Sequence, residues 1–87
     1  MKLVNIGYAN LVNSARIVSV VSPEAAPIKR LVSDTRDTGK LIDATSGKKT
    51  RSVLIMDSGH IVLSALMPET LLARFGGETD TEEEEDC

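Results

Sequence analysis

The runs Ile17–Val21, Val53–Met56 and Ile61–Leu66 are apolar on both alternating faces, broken only by Ser19 and Ser64. They are rich in β-branched residues, which favours strands. A strand that is apolar on both faces needs cover on both sides of its sheet. With 87 residues the chain builds a thin core. Its one cysteine, Cys87, is the last residue, so no internal disulfide reinforces that core. A lone thiol fits a reducing compartment.

The rest of the pattern predicts a single α+β domain over residues 1–75, with a small antiparallel sheet. Leu3 to Tyr8 alternates, with Val4, Ile6 and Tyr8 on one face; a bend at Gly7 to Asn10 precedes a short piece at Asn10 to Asn13. A strand follows from Arg16. Ser22-Pro23-Glu24 then carries helix-start signals, predicting one main helix over 23–38. Ile28, Leu31, Val32 and Thr35 fall at i, i+3, i+4 and i+7 as its buried stripe, Pro27 sits in its first turn, and Gly39 closes it. Leu41–Thr45 and Arg51–Met56 read as a hairpin joined by Ser46-Gly47-Lys48-Lys49, and Asp57-Ser58-Gly59 turns into the next strand. A short C-terminal helix is expected from Pro68 to Arg74, ended by Gly76-Gly77. One medium and one short helix cover about one sheet face. The other face is expected to meet a second subunit, with the N-terminal strands as the alternative cover.

The formal net charge of −3 conceals two regions. Residues 76–87, GGETDTEEEEDC, hold seven of the 13 acids and no base, which leaves six acids against all 10 bases in the body. A like-charge run without apolar residues cannot repay the entropy of ordering, so a disordered acidic tail is expected. Such a tail solubilises, and can visit and screen a basic surface. The N-terminus alternates instead of forming an apolar leader, and no run approaches the roughly 20 apolar residues that cross a bilayer. A soluble, cytoplasmic chain without membrane contact is the expectation.

The basic body concentrates charge in Thr45-Ser46-Gly47-Lys48-Lys49-Thr50-Arg51, where three cations fall within four residues beside a glycine. Lys48, Lys49 and Arg51 at an exposed turn suit phosphate contact, while lysines at hairpin tips also serve simply to keep edges soluble. The stretch does not match a nucleotide-binding P-loop, since Ile42 stands where the first glycine belongs. Lys29 and Arg36 form a second basic line on the main helix. Arg16, a cation entering an apolar strand, reads either as a contact residue or as half of an ion pair. Asp57, Ser58 and His60 make a common turn more readily than a triad, so no catalytic residue is expected. With one histidine and one terminal cysteine, no His/Cys metal site, cofactor or small-molecule ligand is inferred. Tyr8 and Phe75 are the only aromatics, too few for a stacking platform, so any nucleic acid bound is expected to be duplex.

The segments NIGYAN (5–10), VSPEAAPIKR (21–30), D-x-R-D-x-G (34–39), LIDATSGKKTR (41–51), IMDSGH (55–60) and LSALMPET (63–70) together resemble the small bacterial RemA family, regulators of extracellular-matrix (biofilm) genes. The likeness runs from about residue 3 to 75 and leaves out the acidic tail. It implies a LytTR-like subunit, assembled into a ring-shaped homo-oligomer (an octamer in that family), that binds double-stranded DNA through its backbone as a transcriptional regulator. The family's DNA-contacting positions fall on Arg16, Lys49 and Arg51, with Lys48 adjacent. Lysines stand at 48 and 49 where the family often carries arginines, which keeps the charge but loses the planar bidentate fork. A self-assembling scaffold without DNA binding is the alternative.

Overall fold

A computed structural model describes residues 2–76, so the acidic run and its expected disorder lie outside the described residues. The chain folds as β1 (Leu3–Asn5), β2 (Leu11–Asn13), a 3-10 turn (Ser14–Arg16), β3 (Ile17–Val21), α1 (Ala26–Thr38), β4 (Leu41–Asp43), β5 (Ser52–Met56), β6 (Ile61–Ser64) and α2 (Pro68–Arg74). β1 and β2 form a separate antiparallel ribbon, and the main sheet has the order β3-β5-β6-β4.

That order corrects the expected antiparallel sheet and hairpin. β4 lies parallel to β6, Leu41 opposite Ile61 and Asp43 opposite Leu63, while β5 pairs antiparallel with β3 and β6. Burial decides which strand is central. Every residue of β6 is buried, whereas β4 carries exposed Ile42 and Asp43 and so suits an edge. Residues 44–51 therefore cross two strand spacings, about 10 Å, instead of closing a tight hairpin.

The main helix begins later than its opening signals suggest. Starting at Pro23 would set the Pro27 ring against the carbonyl of residue 23, the i−4 clash that breaks helices. α1 instead starts at Ala26 with Pro27 in its first turn, and the Ser22 hydroxyl accepts from the Glu24 amide outside it. The predicted stripe holds: Ile28, Leu31, Val32 and Thr35 are its half-buried residues. Gly39, at φ 79°, ends it, with the Lys40 amide donating to the Thr35 carbonyl.

Two apolar clusters occupy opposite faces of the sheet. Val53, Ile61 and Leu63 pack under Ile28, Leu31 and Val32 of α1. Leu54, Val62 and Ala44 pack with Ile6, Val12, Leu71 and Phe75, so the β1–β2 ribbon and α2 cover the second face. Both faces are thus covered within one chain, and the apolar runs do not require a second subunit. The exposed large apolar residues include Leu3 and Leu11, diagonal neighbours on the outer face of the ribbon, together with Val18 at a bulge in β3, Ile42 on β4, Met67 before α2 and Leu72 on it.

The expected strand to Tyr8 stops at Asn5. The Asn10 amide donates to the Gly7 carbonyl at 3.0 Å, closing a turn whose central residues, Tyr8 and Ala9, have φ of 55° and 64°. Both signs match a type I′ turn, which asparagine and glycine ordinarily occupy. Left-handed backbone costs such residues about 1–2 kcal/mol each. Tyr8 is thereby thrown outward, 53% exposed, and away from Val4 and Ile6.

Candidate nucleic-acid interface

The cationic stretch rides on the connection between β4 and β5, and its base is firmly held. Asp43 accepts from the Thr45 hydroxyl at 2.6 Å and from the Thr45 amide at 2.9 Å. These two bonds, the hydroxyl foremost, hold the Asp43 carboxyl below its ordinary pKa, with a smaller push from Arg36. Thr45 is itself buried. The Lys48 amide then donates to the Thr45 carbonyl at 3.0 Å across Ser46 (φ 53°) and Gly47 (φ 80°). Two positive φ values in succession make a second type I′ turn, which Gly47 permits and Ser46 tolerates at a cost. Replacing Ser46 by Asn should raise stability by about 0.5 kcal/mol, read as a small upward shift of the urea midpoint.

On the far side of the turn the Arg51 amide donates to the Ser64 carbonyl at 2.8 Å, and the buried Ser52 hydroxyl donates to the Leu66 carbonyl at 2.6 Å. Between these anchors Lys48 and Lys49 are exposed, as is Arg51. Arg51 borders a hollow shared with Glu24 and Glu69, which temper its field. A neighbouring hollow of about 210 Å³ joins Lys29 and Arg36 of α1 to Thr50. The helix stripe and the cationic connection, separate in the sequence, therefore border one surface.

Arg16 is placed elsewhere. It belongs to the 3-10 turn before β3, its carbonyl accepts from the Asp57 amide, and its guanidinium meets the Asp57 carboxylate at 2.9 Å. In the β3–β5 register Ile17 faces Met56 while Val21 faces Val53. Arg16 thus sits beyond one end of β5 and Arg51 at the other, about 20 Å apart at strand rise. The ion pair is largely solvated, with side chains 64% and 43% exposed, and pairs of this kind contribute about 0.2–1 kcal/mol.

The turn after β5 brings the Ser58 hydroxyl within 2.6 Å of His60 Nδ1, but the Asp57 carboxylate is engaged by Arg16. The Ser-His-Asp set does not converge in the order a triad needs. Among the described residues no three His, Cys, Asp or Glu side chains gather as metal ligands. Sequence reasoning missed the anchors: Asp43 and Thr45, Ser64, and Asn10, whose side chain donates to the carbonyls of Gly7 and Ala44. The Asp43-x-Thr45 spacing is a legible turn signature; the pairing of Ser64 and Asn10 with distant carbonyls carries no local signal.

The profile of the RemA-like family, extracellular matrix regulatory protein A-like, matches residues 3–75 of this sequence. The chain belongs to the RemA-like family. Among the relatives it matches, a Geobacillus kaustophilus protein is 55% identical over 84 residues, covering 97% of each chain. A Dictyoglomus thermophilum protein is 63% identical over 84 residues, covering 97% of this chain and 98% of its own. One from Acaryochloris marina is 54% identical over 83 residues, covering 95% and 94%. All three bear the name "Putative regulatory protein". The family description and these names mark a regulatory protein. No helix among the described residues is long and apolar enough to cross a membrane.

Proposed function

We propose that this RemA-like chain is a cytoplasmic transcriptional regulator of extracellular-matrix genes that binds the backbone of duplex DNA. The observation that carries the reading is the anchored connection at 44–51, which holds Lys48, Lys49 and Arg51 outward on a base fixed by Asp43, Thr45 and Ser64. Preset cations lose less side-chain and loop entropy on meeting phosphates than a floppy loop would. Arg16 serves as a second contact point, about 20 Å away along β5. A duplex following β5 meets both points roughly six base pairs apart, at 3.4 Å per step.

Self-assembly into a ring is part of the proposal. It rests on the family likeness and on exposed Leu3 and Leu11, 56% and 58% accessible, which form an apolar patch on the outer face of the ribbon. Repetition turns a weakly basic subunit into an array whose contacts add through effective concentration. The same patch favours the second reading, a self-assembling scaffold without DNA binding.

The two readings separate in one experiment. Fluorescence anisotropy of a labelled duplex is measured for the wild type and for Arg16→Ala/Lys49→Ala/Arg51→Ala, with assembly size from light scattering. Loss of binding with assembly intact supports the DNA reading; an assembled wild type that binds no duplex leaves the scaffold. Asp57 supplies a finer prediction. In the free protein it neutralises Arg16, so Asp57→Asn should tighten duplex binding severalfold at low salt, read in the same titration.

A further inference from the structure

We propose that Tyr8 is a further contact of this surface, its phenol donating a hydrogen bond to a backbone phosphate beside the Lys48–Arg51 connection. The inference rests on the DNA-binding reading above. Tyr8 occupies the tip of the β1–β2 turn in left-handed backbone, followed by Ala9 in the same conformation, φ 55° and 64°. An Asn-Gly pair would make this turn without the strain. Folding therefore gives no reason for a tyrosine here: the side chain is 53% exposed, and among the described residues its hydroxyl has no hydrogen-bond partner. Strain held at an exposed tip points to a role outside the fold.

The tip is also tied to the cationic connection. The Ser64 hydroxyl donates to the Ile6 carbonyl at 2.7 Å, while the Ser64 carbonyl accepts from the Arg51 amide at 2.8 Å. A single residue thus joins the ribbon to the start of β5. On the other side of the turn, Asn10 Nδ2 donates to the Ala44 carbonyl at 3.3 Å, where the connection to Lys48 begins. Tyr8, between Ile6 and Asn10, is held beside both ends of the segment that carries Lys48, Lys49 and Arg51. The turn Gly7–Asn10 contains no acid to repel a phosphate. Leu3 and Leu11 face outward from the ribbon's strands, not from its tip, so the tip is better suited to DNA than to a second copy. A tyrosine hydroxyl is among the ordinary neutral donors to DNA phosphates.

A neutral donor releases no counterion, and this separates Tyr8 from the lysines. Tyr8→Phe should weaken duplex binding about tenfold and by the same factor at every salt concentration, leaving the slope of log K against log salt unchanged. Lys49→Ala, by contrast, should flatten that slope by about 0.9 for each phosphate it no longer neutralises. Tyr8→Asn with Ala9→Gly should melt several degrees higher than the wild type while binding duplex more weakly. The proposal is overturned if Tyr8→Phe binds as tightly as the wild type. It is equally overturned if the loss comes with an altered salt slope, or with a change in assembly size by light scattering, which would assign the tip to a neighbouring copy. A wild type that binds no duplex at any salt defeats the DNA reading itself, a failure distinct from a wild type that binds and a Tyr8 variant that binds equally well.

Discussion

Leu54→Ala should remove a large share of the stability of this fold. Leu54 lies in the central strand β5, is fully buried, and touches the cluster of Ile6, Ala44, Val62 and Leu71 that joins sheet, ribbon and α2. Hydrogen-bonded neighbours on both sides keep β5 from shifting to fill the space. A cavity in such a position costs about 3–5 kcal/mol. A fold of this size has a total of about 4–11 kcal/mol to lose. The expected result is a melting midpoint lowered by about 15–30 °C in thermal unfolding followed by circular dichroism. Leu72→Ala, on the exposed outer side of α2, should move the same midpoint by only a few degrees. Equal effects at the two positions would contradict the assignment of the core. If the chain assembles, both midpoints will also rise with protein concentration, so the comparison belongs at a fixed one.

Lys48→Glu with Lys49→Glu should reduce duplex affinity by about a hundredfold or more near 0.1 M salt. At that salt each neutralised phosphate contributes about eightfold through counterion release, and the introduced carboxylates add repulsion to the removal of two cations. The fold should not notice. Both side chains are exposed, and the connection is anchored by Asp43, Thr45 and the Arg51 amide, none of which is changed. The check pairs an anisotropy titration with a melting curve: binding weakened about a hundredfold or more at an unaltered midpoint is the expected outcome. Arg16→Glu should cost less, because Asp57 already occupies that guanidinium in the free protein and its displacement opposes binding.

What the sequence made legible was whatever depends on neighbours. The stripe Ile28, Leu31, Val32 and Thr35 follows from helical spacing and the three apolar runs from β-branched composition; the stripe and the first two runs appear where expected, while the third forms a strand only to Ser64, short of Leu66. Strand order was not legible. β6, buried at every residue, enters between β4 and β5, the outcome of a competition between segments far apart in the chain. The late start of α1 required weighing Pro27 against Pro23, one helix-start signal against another. The turn at Tyr8 and Ala9 ran against local preference altogether, since neither residue favours left-handed backbone and the alternation invited a strand to continue.

The candidate site divides the same way. Lys48, Lys49 and Arg51 could be picked from charge and from the glycine beside them, and Arg16 from its place at the head of an apolar strand as well as from family likeness. Their separation into two points at opposite ends of β5 came only with the β3–β5 register. Asp57 as the partner of Arg16 lies 41 residues away in the chain, beyond any spacing rule. The helix cations Lys29 and Arg36 gained their place beside Thr50 only once α1 was seen to pack on the face of β5 and β6.

The central claim is that exposed cations at the two ends of β5 in an acidic protein bind duplex DNA through its phosphates. It is tested most directly by the dissociation constant of a labelled duplex of about 30 base pairs between about 50 and 200 mM salt. Engagement of Arg16, Lys48, Lys49 and Arg51 by a single subunit predicts a log–log slope of about −3.6, and a steeper one if several subunits of an assembly engage together. A slope near zero, or no binding at the lowest salt, would contradict the claim and leave the anchored cationic connection as a solubilising turn.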